Sequence, residues 1–363
     1  MEGIGWYTYE VVKRIVETHP EDDFILFFDR KPSSEFDFGP NAKQVILSPQ
    51  ARHPFLFKIW FNWSIKRAIK KYKPDVFFSP DGYLSLTIKI PQVPVIHDLN
   101  FEHYPEDLPR HFLKYYKSYF PKFADVSDHI LTVSEYSRRD IAETYDISLD
   151  KITVVWNGAS DIFSPLPNIT KENIREKYTN GKPYFLFVGA LHPRKNLRRL
   201  IEAYSIFRNE NPDNVMELVV VGTDLWKNSS GDIIISENIK DSIHFTGHLS
   251  LEELSKLMGA ANIFVFVPYF EGFGIPIVEA MKAGVPIITG NRTSLPEVGG
   301  DAALYCDPFD SMDISRKMKQ LAEDPDLQLE LKERGLERAK KFSWDETARR
   351  VYEVLSMYRR EKS

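Results

Sequence analysis

Short runs of consecutive apolar residues alternate with longer stretches whose apolar positions recur every three or four residues, along nearly the whole chain. The short runs predict strands and the longer stretches amphipathic helices, so the pattern reads as successive βαβ units with parallel sheets. In the first half strands are expected over residues 24–29, 44–48, 75–80, 94–99, 129–134 and 151–156, with helices over 7–17, 54–71, 109–123 and 135–145 between them. Residues 160–181 break the rhythm. They hold Pro165, Pro167 and Gly181 and no strong strand, which predicts a connection between domains. A second series follows, with strands over 184–189, 217–222, 242–247, 263–268, 286–290 and 303–306. Its helices are expected over 196–209, 251–259, 276–283, 312–323 and 327–341, and a last helix over 344–359.

At 363 residues the chain exceeds the size at which one core usually splits, roughly 250–300 residues. The pattern predicts an N-terminal Rossmann-like domain over 1–160, a second over 161–342, and a C-terminal helical segment over 343–363. The start is unusual. Gly3-Ile4-Gly5 leads straight into helix-like sequence, whereas a glycine-rich turn in such a domain normally follows a first strand. An opening strand is therefore missing from the expected series. Gly3 and Gly5 are also readable as simple helix-start residues.

Composition narrows the classes. A net charge of −5 argues against a nucleic-acid binder, and no apolar run approaches the roughly 18 residues that span a bilayer. No signal-peptide pattern opens the chain, and one cysteine, Cys306, permits neither an internal disulfide nor a cysteine-based zinc site. These features point to the cytoplasm. Aromatic residues reach 13%, and many in the first half stand beside Lys and Arg. Residues 52–73 interleave Phe55, Phe57, Trp60, Phe61 and Trp63 with Lys58, Lys66, Arg67, Lys70 and Lys71, and residues 110–122 are similar. Such stretches suit an anionic membrane surface on its inner face, or else an ordinary helix with an aromatic core side and a solvated basic side.

Three segments carry candidate chemistry. In YFEGFGIPIVEAMKAGVP, residues 269–286, a strand gives way to a helix through Gly272 and Gly274, with Pro276 in its first turn. Free backbone N–H groups and the helix dipole there attract an anion. Glu271 precedes the turn and Glu279 follows eight positions on, which suits one carboxylate to a sugar and the other to a ribose diol. Glu279 is also readable as an acid favoured by the helix dipole. In VGALHPRKNL, residues 188–197, Arg194 and Lys195 stand at the mouth of a helix and could hold a diphosphate, or form a solvated basic loop. The Walker spacing is absent. In Val95-Ile96-His97-Asp98-Leu99 a strand ends in His97, where open α/β sheets bind ligands. His97 is also readable as a structural residue. Ser134 reads as a helix N-cap.

Together with TVSEYSRRDI and VVWNGASDIFSP, these segments in this order resemble glycosyltransferase family 4, from about Gly3 to about Arg359. The resemblance implies the α/β GT-B fold, two Rossmann-like domains with parallel sheets facing across a cleft. It implies a retaining transfer of a hexose from a nucleotide-diphosphate sugar, without metal or other cofactor, to a glycan or lipid-linked acceptor, mannose from GDP-mannose being the first expectation. By position, Glu271 would hold the donor sugar, Glu279 the ribose, and Arg194 with Lys195 the departing diphosphate. Gly189, Gly272, Phe273, Gly274 and Ile275 would join the donor site through their backbone, with Gly247 and His248 near the base. His97 would contact the sugar, and Gly3 with Gly5 would line the phosphate and acceptor side. Three rival readings stay open: a sugar-nucleotide 2-epimerase of the same architecture, a non-catalytic nucleotide-sugar binder, and a dehydrogenase, for which the third glycine of G-x-G-x-x-G is lacking.

Overall fold

The computed structural model describes residues 3–222 and 235–360. It divides into two units, residues 1–157 with 343–363, and residues 158–342.

In the first unit α1 (Gly3–Thr18) leads to β1 (Phe24–Phe28) and β2 (Ala42–Ile46), which pair in parallel. Gly3 and Gly5 thus lie inside a helix and not in a turn before it. A Cβ at Gly3 would meet nothing within 4 Å, so no close approach demands a glycine there. Next come α2 (Pro54–Ile59), a π-helical turn (Trp60–Ser64) and α3 (Ile65–Tyr72). β3 (Phe77–Ser79) pairs with β4 (Gln92–Pro94), then follow α4 (Asn100–His103), α5 (Arg110–Val126), β5 (Ile130–Thr132), α6 (Glu135–Tyr145) and β6 (Ile152–Val154), with β5 and β6 paired. A bridge from Val95 to Leu131 joins β4 to β5. Among the described residues no ladder joins β1 to β3.

The strand expected over 94–99 therefore ends early. After the Val95 bridge, His97 lies on the loop that continues β4. Ser134 caps α6 by accepting from the Ser137 N–H. The aromatic stretches also divide. Trp60 and Phe61 are buried with Tyr115, Phe120 and Phe123 in the core of this unit, while Phe55 and Trp63 stay 63% and 57% exposed. So the core-face explanation holds for only part of the first stretch, while in the second no Phe or Tyr side chain is exposed.

The second unit opens where a plain connection was expected. Residues 160–181 contain the helix α7 (Asn168–Thr179), fixed where Arg175 Nε donates to the Ala260 carbonyl at 3.1 Å. Then come β7 (Tyr184–Val188), α8 (Leu197–Glu210), β8 (Glu217–Val221), β9 (Ile243–Gly247), α9 (Leu251–Ala260), β10 (Ile263–Phe266), α10 (Ile275–Lys282), β11 (Ile287–Gly290), α11 (Leu295–Gly299), β12 (Ala303–Cys306), α12 (Ser311–Glu323) and α13 (Pro325–Ala339). All six strands pair in parallel in the order β12-β11-β10-β7-β8-β9. The four residues of β10 and the first four of β7 are completely buried, as expected of strands covered on both faces. From β7 the chain winds outward to β9, then returns to lay β10 on the opposite side of β7. The ends of β7 and β10 therefore flank a topological switch point, where such sheets bind ligands.

The last helix, α14 (Trp344–Ser356), belongs to the first unit and packs on α1. Arg14 Nε meets Asp345 at 2.6 Å, the rings of His19 and Tyr352 stack at 3.4 Å, and Tyr352 donates to Asp22 at 2.6 Å.

Candidate functional site

Two loops meet at the switch point of the second unit. The loop after β7 turns through a short 3-10 helix, Pro193–Lys195, capped by His192. Asn196 then adopts a left-handed conformation (φ 64°) and is buried. Its amide donates to the carbonyls of Val267 (2.9 Å) and Pro308 (2.6 Å), which ties this loop to the end of β10. The backbone adds a second tie, because Tyr269 N–H donates to the Arg194 carbonyl at 3.1 Å.

These ties bring Lys195 onto Glu271, and the two form an ion pair. Both are mostly buried, with side-chain exposures of 15% and 8%. The ammonium also lies 5.3 Å from the centre of the Phe266 ring. The carboxylate-bearing loop is held from below by a third segment. Ser294, fully buried, donates to the carbonyls of Glu271 (2.9 Å) and Phe273 (3.2 Å), and Thr293 Oγ1 accepts from the Glu271 N–H at 3.3 Å. Gly274, at φ 95°, is the N-cap of α10, with Ile275 and Pro276 in the first turn. The Phe273 side chain is core, edge-on to Phe342 at 5.6 Å.

Glu279 falls in the second turn of α10 and is half-buried. With no counter-charge among the described residues, burial pushes its pKa from 4.5 up to about 7. Gly189 and Gly247 end the ladders of β7 and β9, joined through Gly222, where Gly189 N–H donates to Val221 O and Gly222 N–H to Gly247 O. Gly222, at φ 152°, is a true steric requirement. A Cβ there would fall 1.9 Å from the Gly189 carbonyl oxygen. Gly247 and exposed His248 lie at the same end of the sheet, two strands from β7 and so roughly 10 Å along it.

In the first unit His97 is half-buried beside the fully buried Tyr7, rings edge to face at 4.9 Å. Its Nε2 donates to the Pro80 carbonyl at 2.8 Å. A carbonyl only accepts, so the proton sits on Nε2 and Nδ1 remains an acceptor. Burial lowers its pKa, which keeps the ring neutral near pH 7.

Sequence reasoning singled out Lys195, Glu271 and Glu279 but missed Asn196, Gly222, Thr293 and Ser294. A visible signal for the last two was Thr-Ser directly after β11 and ahead of a Leu-Pro helix start.

Two α/β units with parallel sheets, the second wound about a switch point, are the architecture of the GT-B fold. Residues 1–163 match the family described as Glycosyltransferase Family 4, and residues 170–338 match Glycosyl transferases group 1. The chain is 30% identical over 357 residues to O-antigen chain mannosyltransferase B of Escherichia coli, covering 95% of this chain and 93% of that one. It is 28% identical over 291 residues to O-antigen chain mannosyltransferase RfbU of Salmonella typhimurium, covering 79% and 76%. Among solved structures, Anabaena Alr3699/HepE in complex with UDP-glucose superimposes with a TM-score of 0.78 at 15% identity, covering 98% and 96%, a likeness of fold. The chain belongs to the group 1, family 4 glycosyltransferases and transfers a hexose.

Proposed function

We propose that this chain moves mannose from GDP-mannose to a hydroxyl of a glycan or lipid-linked acceptor, with retention at the anomeric carbon and without a catalytic metal. The observation that carries this reading is the Lys195–Glu271 pair astride the β7/β10 switch point. A buried ammonium fixed before the substrate arrives is preorganised to take up the charge of a departing diphosphate, the work a metal would otherwise do. Glu271, held by Ser294 and Thr293, then offers its carboxylate to donor hydroxyls, and Glu279 offers its own to the ribose diol. The N-terminus of α10 adds its dipole and N–H groups for the phosphates. In this reading the first unit serves the acceptor, with neutral His97 offering Nδ1 to a sugar hydroxyl. The names of the O-antigen relatives support mannose as the sugar.

The test is product analysis with GDP-, UDP-, ADP- and dTDP-sugars, with and without octyl α-mannoside as acceptor and with and without EDTA. Mannosylated product from GDP-mannose, with new α linkages and insensitive to EDTA, is expected. Activity abolished by EDTA and restored by Mg²⁺ would refute the metal-free mechanism. Isomerised sugar nucleotide without transfer would instead favour the 2-epimerase.

A second observation bears on location. Phe55 and Trp63 are exposed on the α2–α3 segment among Lys66, Arg67, Lys70 and Lys71, with the Arg67 guanidinium 4.9 Å from the centre of the Trp63 ring. No described helix is long and apolar enough to cross a membrane. We read this face as a peripheral contact with an anionic leaflet from the cytoplasmic side.

A further inference from the structure

We propose that Asp81 is an acceptor-binding residue, a fixed carboxylate that takes hydrogen bonds from sugar hydroxyls next to the attacking one. The inference rests on the transferase reading above, in which the first unit serves the acceptor.

Asp81 lies on the turn that follows β3, at the C-terminal end of the strands, and its side chain is exposed. Exposed carboxylates usually wander, but this one is held. Ser79, itself buried, donates its Oγ to Asp81 Oδ1 at 2.8 Å, and the backbone N–H groups of Asp81 and Tyr83 also point to the carboxyl. The turn cannot slide. Gly82 sits at φ 86°, where an added Cβ would be 3.1 Å from the Val95 carbonyl oxygen and 3.4 Å from the Phe120 ring. On its far side Tyr83 is anchored in the aromatic core, its hydroxyl 2.9 Å from that of Tyr116.

The same turn also fixes His97, because the acceptor for His97 Nε2 is the carbonyl of Pro80, the residue before Asp81. One rigid peptide thus sets both an imidazole Nδ1 and a carboxylate, two acceptors for hydroxyl protons. Asp81 makes no salt bridge among the described residues, so the fold gives the restrained charge no partner of its own. A carboxylate on the turn that also holds a neutral imidazole repels phosphate and suits an uncharged polyol. A second sign lies at the same strand end. The Tyr7 hydroxyl, against His97, is buried and has no hydrogen-bond partner among the described residues.

The test uses the full chain with GDP-mannose as donor and octyl α-mannoside as acceptor, comparing wild type with D81N and D81E. D81N keeps an oxygen for Ser79 but loses the charge. Loss of a charged hydrogen bond to a hydroxyl corresponds to about 10- to 100-fold, so the acceptor KM of D81N should rise by about that factor, with donor KM changed less than about twofold. D81E, which retains the charge one methylene away, should recover part of the loss. An acceptor KM unchanged in D81N, with normal transfer by the wild type, overturns the assignment and leaves the transferase reading standing. A parallel rise in donor KM, or a lowered melting temperature in both variants, would also overturn it, by marking Asp81 as a structural residue. Absence of transfer by the wild type overturns both.

Discussion

Replacing Glu279 by Gln tests the donor side through two independent signs. The carboxyl is half-buried, and burial raises its pKa from 4.5 to about 7. Each pKa unit corresponds to about 1.4 kcal/mol, so ionising this group in the fold costs at most about 3 kcal/mol, reduced to about 1–2 kcal/mol by its partial access to water. An acid whose folded pKa lies above its unfolded one binds its proton more tightly in the native state. Its contribution to stability is therefore intact below about pH 4.5, falls between pH 4.5 and 7, and stays low above pH 7. E279Q has no proton to lose, so it should melt higher than wild type at pH 8 and lose that advantage near pH 4.5. Donor binding should show the opposite sense. Ribose hydroxyls donate to the ionised carboxylate and favour it, so binding expels a proton and affinity for GDP-mannose should rise about tenfold from pH 6 to 8. The sugar nucleotide's diphosphate stays ionised across this range, so the proton comes from the protein. Calorimetric titrations at pH 6, 7 and 8, in buffers of different ionisation enthalpy, count it directly. In E279Q the affinity should be lower and its pH slope flat. The same slope in both proteins, or an E279Q less stable at pH 8, would refute this account of Glu279.

Three other perturbations separate the parts of the site. K195A leaves Glu271, only 8% exposed, without its counter-charge; melts should show a loss of about 3–5 kcal/mol, and GDP binding should weaken, whereas K195R should retain much of both. S294A frees the carbonyls of Glu271 and Phe273 and should cost about 1–2 kcal/mol in denaturant unfolding, with kcat falling more than donor KM rises. Charge reversal at Lys66, Arg67, Lys70 and Lys71 should reduce sedimentation with phosphatidylserine vesicles, by about 1 kcal/mol for each basic residue that touches the surface, and leave activity on a soluble acceptor unchanged; undiminished sedimentation would reject the membrane face.

Some of this molecule was open to reading from its sequence, and the boundary follows physical lines. Strands buried on both faces announce themselves as unbroken apolar runs, and β7 begins where its run begins, at Tyr184. Glu135–Tyr145 was bounded to the residue because Ser134 caps its start. Helix α7 escaped notice because its surface is polar nearly all round. Ile169 is 65% exposed, and the helix docks through a guanidinium-to-carbonyl bond that leaves no hydrophobic period. The aromatic stretch over 52–73 was legible as a helix, but which of its rings are core was not. Its helix runs on through a π turn, and Phe61 and Trp63, two positions apart and so on opposite sides, face inward and outward. At the site the chemistry of each residue was legible but the partnership was not. Lys195 and Glu271 are 76 positions apart, and they meet because β10 lies beside β7 in the sheet. Thr293 and Ser294 act through hydroxyls on the backbone of another loop, a contact that no periodicity records.

That difference has a mechanistic side. Beside the Tyr269–Arg194 main-chain bond, the Lys195–Glu271 pair is positioned by side chains bonding to main chain across strand ends: Asn196 to Val267 and Pro308, Ser294 to Glu271 and Phe273. Such bonds fix loop against loop while leaving the charged side chains able to trade partners. On the proposed function, an approaching diphosphate would draw the Lys195 ammonium from carboxylate to phosphate, leaving Glu271 to hydroxyls. In the proposed function the ion pair would act as a stored arrangement of charge, neutral until the donor separates it, with the rigidity that makes this useful residing in uncharged neighbours.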